Sequence, residues 1–251
     1  MSGDDEVPLV RLPASLGPLI TALRALTARD LPAVAVVGGV AVNVRLSTTT
    51  ETHRATRDVD VVSDDAVPGA VEVLARYHPT RRSSTVIVDG IEIDVIVAQS
   101  VTNDDLDGLT DGQRLFVAGH RWALDTAEAV RLNAGGPGVV VVPVATPAGL
   151  VSAKSHAVGY PRSTRRATKH GGDLFDVYRL VEIFDRQGQL RDALTAAPFG
   201  LGGLVAEVID REILSNPARA ANQMASSSTS GPPRTEQVVD ILEPFAAELR
   251  V

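Results

Sequence analysis

The sequence predicts an α/β fold over residues 1–146 and an all-helical region over residues 147–251. Three observations carry that division. Short valine-rich runs alternate with stretches of helical periodicity in the first part. Beyond position 147 the apolar residues recur mainly at helical spacing, broken by Gly and Pro. With 251 residues, 44% of them hydrophobic, the chain is long enough to bury a sizeable core and suits one large domain or two small ones.

The elements follow in order. Leu16, Leu19, Ile20, Leu23 and Leu26 share one face of a helix over 16–29, and Pro32 closes the connection. Ala33-Val34-Ala35-Val36-Val37 reads as a buried strand that leaves sharply through Gly38-Gly39 into a helix over 40–46. A polar loop over 47–56 leads to the alternating run Arg57-Asp58-Val59-Asp60-Val61-Val62, a strand. Residues 68–77 predict a helix, and two alternating runs, 85–88 and 91–97, flank Asp89-Gly90 as a hairpin. Residues 101–112 are acidic and turn-rich, and 115–132 fit either periodicity, with strand preferred for parts of them. Gly135-Gly136-Pro137-Gly138 is a turn before a strand over 139–144. Helices then cover 147–158 and 173–186, with a basic loop or helix end over 159–172 between them. Helices broken by Gly and Pro fill 188–222. A flexible Ser/Thr-rich linker over 225–233 precedes a final amphipathic helix over 235–249, with Thr235 placed to cap it.

Composition removes several function classes. There is no cysteine, which excludes disulfides, thiolate zinc sites and a Cys nucleophile. A net charge of −7 argues against a whole-surface nucleic-acid coat. Met1-Ser2-Gly3-Asp4-Asp5-Glu6 is acidic with no apolar stretch behind it, and no apolar run approaches the roughly 18 residues of a membrane span, so a cytoplasmic protein is expected. No Walker A and no Gly-x-Gly-x-x-Gly sequence is present. The five histidines, His53, His78, His120, His156 and His170, show no metal-ligand spacing, Ser152 and Ser155 have no evident base partner, and Trp122 reads as core.

The chemistry concentrates in Gly38-Gly39, Asp58-x-Asp60 and Asp94. In a strand, residues i and i+2 point to one face, so Asp58 and Asp60 present two carboxylates together. Asp94 lies in a second strand of the same style, and three carboxylates meet if those strands are neighbours. So close a set of like charges needs cations or raised pKa values. Hard oxygen ligands suit Mg²⁺, which bridges carboxylates to substrate phosphates and serves in-line nucleotidyl displacement. A Gly-Gly turn opening a helix offers N–H groups to phosphate. The alternative for the Asp pair is a solvated strand face.

A second signal is the distribution of basic residues. Between Glu128 and Asp173 there is no acidic residue, while Arg131, Lys154, Arg162, Arg165, Arg166 and Lys169 all fall there. Lys154 and Lys169 are also the only lysines in the chain. The stretch is either a solvated basic loop or a face for triphosphate or nucleic acid.

In that order the residues resemble the DNA-polymerase-β-like nucleotidyltransferases. The segments that carry the resemblance are Val37-Gly38-Gly39-Val40-Ala41, Arg54-Ala55-Thr56-Arg57-Asp58-Val59-Asp60 and Glu92-Ile93-Asp94-Val95-Ile96. The Arg-x-Thr-x-Asp-x-Asp form is similar to the AbiEii/MenT-type branch, which includes bacterial toxins of toxin–antitoxin pairs. Lys154 and the segment Lys169-His170-Gly171-Gly172-Asp173-Leu174-Phe175-Asp176 resemble its downstream helical lysine and Lys-Asp-x-x-Asp motif, with three residues here between Lys169 and Asp173. The resemblance spans about residues 33–185.

The resemblance implies a nucleotidyltransferase fold: a mixed twisted sheet with flanking helices as the catalytic domain, 1–146, then a helical domain, 147–251, with the cleft between them. It implies that Asp58, Asp60 and Asp94 hold Mg²⁺ and that Asp94 also acts as general base. It implies that Gly38, Gly39 and Lys154 hold the phosphates of an NTP, assisted by Arg57 or Lys169. Asp173 then belongs to nucleotide binding and Asp176 to activity. The implied acceptor is a tRNA 3′ end and the implied partner a cognate antitoxin, with no membrane involved. A small-molecule enzyme of aminoglycoside type, suggested by Asp104, Asp105, Asp107 and Asp111, and a non-catalytic nucleotide-binding or antitoxin-like module are the alternatives. Lys154→Ala is expected to weaken NTP binding and leave the fold unchanged.

Overall fold

The structure, a computed structural model, describes residues 7–28, 33–47, 56–64, 84–135, 138–160, 167–227 and 231–250. The helix expected over 68–77, most of the polar loop over 47–56, Arg162, Arg165 and Arg166, and part of the expected linker lie outside the described residues.

The described strands are β1 (Leu9–Arg11), β2 (Val34–Val37), β3 (Val59–Asp64), β4 (Thr85–Val88), β5 (Ile91–Ala98), β6 (Glu128–Asn133) and β7 (Val140–Val144). They form one mixed sheet in the order β1-β6-β7-β2-β3-β5-β4. The helices are α1 (Gly17–Thr27), α2 (Gly38–Leu46), α3 (Asn103–Leu106), α4 (Asp111–Asp125), α5 (Pro147–Gly159), α6 (Ala167–Phe184), α7 (Gln189–Thr195), α8 (Leu201–Ile209), α9 (Pro217–Ala225) and α10 (Thr235–Glu248). The fold is therefore mixed α/β, with helices flanking a sheet and a helical second half.

Local chemistry explains most of these elements. β2 is a short Val/Ala run whose Ala35, Val36 and Val37 are fully buried, as a strand covered on both faces requires. In α1, Leu19, Ile20, Leu23 and Leu26 are buried, which is the stripe read from the sequence. Asp89 (φ 50°) and Gly90 (φ 80°) both take the left-handed conformation that a two-residue hairpin turn demands. The β4–β5 pairing runs from Val88↔Ile91 to Thr85↔Asp94.

Several boundaries differ from the sequence reading, among them that of α6, which begins at Ala167 instead of Asp173. Residues 115–125 are helical, not strand: Leu115, Ala118, Gly119 and Ala123 are buried along one face of α4. Its first turn is fixed by Thr110, whose hydroxyl accepts from Gln113 N while Gln113 Oε1 accepts from Thr110 N at 3.0 Å. Only 128–133 of that stretch is strand. The turn-rich 101–112 holds the short helix α3, capped by Thr102. α2 begins at Gly38 itself, and β3 begins at Val59, so Asp58 stands one residue before the strand. Thr235 is the first residue of α10, not its cap, and Arg234 N donates to Gln237 Oε1 at 3.0 Å.

Buried apolar residues form one continuous cluster from Val10 to Leu249. α4 packs on β2, β3 and β5 and along α5, and α5 packs in turn on α2, α6 and α8. Alternation puts Asp60, Val62 and Asp64 on one face of β3, and the Asp64 carboxylate meets Arg121 of α4 at 3.2 Å. That face of the sheet is therefore the one that α4 covers. Among the described residues no single helix is long and apolar enough to cross a membrane.

Candidate functional site

The site grows from three neighbouring strands. β2 pairs antiparallel with β3, setting Val37 opposite Asp60. β3 pairs parallel with β5, setting Asp60 opposite Asp94. Opposed residues on paired strands share a face, so the two carboxylates stand side by side, and β2 turns into α2 beside them. Gly38 makes that turn with φ +66°. A Cβ on Gly38 would lie 1.9 Å from Asp60 Oδ2, so glycine is needed both for the backbone angle and for the approach of the carboxylate.

Small hydroxyl residues orient the outer acids. Thr85 Oγ1 donates to Asp94 Oδ1 at 2.6 Å. Thr56 Oγ1 donates to Asp58 Oδ1 at 3.2 Å, and Lys169 Nζ lies 3.6 Å from Asp58 Oδ2. Lys169 is more than half exposed, so this contact is a weak one.

A different ion-pair group forms part of the helical wall of the cleft. Lys154 Nζ, on α5, meets Asp173 Oδ1 at 2.8 Å and Asp176 Oδ2 at 2.7 Å, both on α6. All three residues are buried. Asp173 and Asp176 are three apart on one helix face, which is why one ammonium reaches both. Lys154 is thus engaged by two acids instead of standing in open space.

The cleft, of about 110 Å³, is lined by Gly38, Asp60 and Ile96 from the sheet side and by His120, Lys154, Lys169 and Asp173 from α4, α5 and α6, among others. Burial and the neighbouring Asp58 charge push the Asp60 carboxyl up to about 6, with Asp94 adding to the rise and Lys154 and Lys169 opposing it. His120 Nδ1 donates to the Phe116 carbonyl at 2.7 Å, and burial holds the imidazole below its ordinary range, so it is neutral near pH 7.

Among the described residues, no three Asp, Glu or His side chains come together closely enough to hold a metal ion on their own. The donor chemistry nevertheless suits a hard divalent cation. Burial first and then repulsion from Asp58 raise Asp60, and a cation offsets both; Mg²⁺ commonly takes only one or two carboxylates, filling its remaining positions with water and phosphate oxygens.

Of the residues singled out from sequence, Gly38, Asp60, Lys154, Lys169 and Asp173 line the cleft. Asp58 and Asp94 flank Asp60, and Gly39 is buried in the first turn of α2. Arg57 is exposed next to Asp58, and Asp176 lies behind Lys154, away from the cleft wall. Sequence reasoning missed Thr85 and His120. Thr85 was within reach: a two-residue turn at 89–90 makes paired positions sum to 179, which places 85 opposite 94. His120 carries no such signal, because it reaches the cleft only through the packing of α4 on α5.

No protein-family model matches this chain, nor does any curated protein.

Proposed function

We propose that this chain is a Mg²⁺-dependent nucleotidyltransferase that moves NMP from an NTP to an acceptor hydroxyl, with a tRNA 3′ end as the acceptor and a role as the toxin of a toxin–antitoxin pair. The observation that carries the reading is the Asp60↔Asp94 register beside Gly38, at a cleft whose opposite wall holds both lysines of the chain. Asp58 and Asp60 are the residues that would hold Mg²⁺, which neutralises triphosphate charge when bound.

The chain's own residues account for the rest. The first turn of α2 offers backbone N–H groups to phosphate, and Lys169, exposed at the rim, adds a point charge that can leave Asp58 for the substrate. Lys154 is held in place by Asp173 and Asp176, and its ammonium favours the ionised form of the Asp60 carboxyl across the cleft. Thr85 holds Asp94 Oδ1, leaving Oδ2 to take the proton of the acceptor hydroxyl. The hydroxyl oxygen then bonds to the α-phosphorus, the bond from that phosphorus to the bridging oxygen breaks, and pyrophosphate leaves with the electron pair.

The direct test is transfer of labelled NMP to tRNA by wild type and Asp60→Ala. Transfer by wild type alone supports the reading, and equal transfer by both overturns it. Growth arrest on induction of wild type but not of Asp60→Ala supports the toxin role, whereas drug resistance without arrest favours a small-molecule acceptor. Of the acids expected to attract a cationic drug, Asp104, Asp105, Asp107 and Asp111, Asp105 serves the cap of α3, where its Oδ2 accepts from Thr102 N at 2.7 Å.

A further inference from the structure

A second concavity, of about 810 Å³, opens beyond the ring of His120. Phe116, Val117, His156 and Tyr160 form its apolar wall, with Gln99 and Gln113 contributing side-chain amides. The rings make one packed set: Phe116 to His120 at 4.6 Å, Phe116 to His156 at 5.0 Å, and His156 to Tyr160 at 5.9 Å with planes 18° apart. His120 lines the carboxylate cleft while Phe116 and His156 line the groove, so this set of rings is the partition between the two spaces. β5 runs past both: Ile96 lines the cleft, and Gln99, just beyond the strand, lines the groove.

The wall is built, not incidental. A Cβ on Gly112 would lie 2.5 Å from the Tyr160 ring, so the missing side chain is what lets that ring lie on the first turn of α4. The Arg211 guanidinium covers the same ring, 5.2 Å from its centroid. The described lining residues include no Lys or Arg, and the guanidinium nearest the Tyr160 ring, that of Arg211, is paired with Glu212, so the lining offers a phosphate no cation of its own. Their one carboxylate, Asp105, supplies a single negative charge, too little for a polycation. Aromatic faces with amide edges fit a planar uncharged heterocycle with polar rim atoms.

We infer that this groove binds a nucleobase. Stacking on aromatic side chains accepts any base, and the Gln99 amide reads the base edge together with Gln113 Nε2, the Gln113 Oε1 being engaged by Thr110. The choice of a nucleobase among planar heterocycles rests on the nucleotidyl-transfer reading. The base belongs either to the NTP or to the nucleic-acid acceptor, and the experiment separates the two.

The probes are the four ribonucleosides, which carry no phosphate, titrated onto the full chain in EDTA and followed by saturation-transfer NMR. At least one is expected to bind wild type and Asp60→Asn equally. Val117→Trp, which fills the groove, is expected to weaken that binding at least tenfold. Gln113→Glu is expected to weaken it severalfold while keeping the cap of α4, since Glu serves that position as Gln does. If Val117→Trp does not fold, Gln113→Glu and Gln99→Ala decide the outcome. With Mg²⁺ present, a matching loss of NTP affinity in these variants assigns the groove to the donor base. Unchanged NTP affinity with weaker binding of a short RNA oligonucleotide assigns it to the acceptor. Absence of ribonucleoside binding, or equal binding by wild type and the groove variants, overturns the inference. Unaltered transfer by Asp60→Asn would overturn the transfer reading instead and leave ribonucleoside binding in place.

Discussion

Burial beside Asp58 raises the Asp60 carboxyl from 3.8 to about 6, so the folded chain holds that proton more tightly than the unfolded chain does. Stability of the metal-free protein therefore falls as pH climbs through that window and stays low above it. Asp60→Asn is expected to be more stable than wild type in EDTA at pH 7.5, by about 2–3 kcal/mol, with the difference gone below pH 4. Urea unfolding across that pH range reads this directly, and a less stable variant at pH 7.5 would contradict it. Gly38→Ala faces both a strained φ of +66° and a clash with the Asp60 carboxylate, so a loss of at least about 1–3 kcal/mol is expected in thermal unfolding. Lys154 reverses its sequence-based expectation of an unchanged fold on substitution. Lys154→Met leaves Asp173 and Asp176 buried without their ammonium and is expected to cost about 3–5 kcal/mol, measurable as a large fall in urea midpoint.

At the scale of elements, α4 and α5 convert an open sheet face into a cleft. α4 covers β3 and carries His120 to one side of the partition and Phe116 to the other. Gly112→Ala is expected to displace the Tyr160 ring from α4 and alter the groove while leaving the Asp60 cleft intact. Its readout is a change in ribonucleoside binding with an unchanged Mg²⁺-induced rise in melting temperature, and loss of both together would show that the two spaces are not separable. The β4–β5 hairpin was legible because an Asp-Gly turn sets register arithmetically, bringing Thr85 to Asp94. α4 was not legible as a helix. Its continuous apolar run Leu115-Phe116-Val117-Ala118 fits a strand as well as a helix, and its buried face is completed by Ala118, Gly119 and Ala123, small residues that weigh little in a periodicity and gain their meaning from close approach to α5. Gly119, for instance, stands against Ser152 of α5.

For the molecule as a whole, a cation that binds the folded chain and not the unfolded one must stabilise it by mass action. Titration with Mg²⁺ at pH 7.5 is expected to raise the melting temperature of wild type and leave that of Asp60→Asn unmoved, and an equal rise in both would remove the Asp58–Asp60 assignment. Turn chemistry and periodicity were enough to reveal the glycine turn, the Asp-x-Asp strand and the hairpin bearing Asp94, because each depends on residues close together along the chain. The parallel β3–β5 register, the Lys154–Asp173–Asp176 group and the histidine wall had to await the packed molecule. Each joins segments far apart in sequence, and their alignment is set by which apolar faces must be buried together.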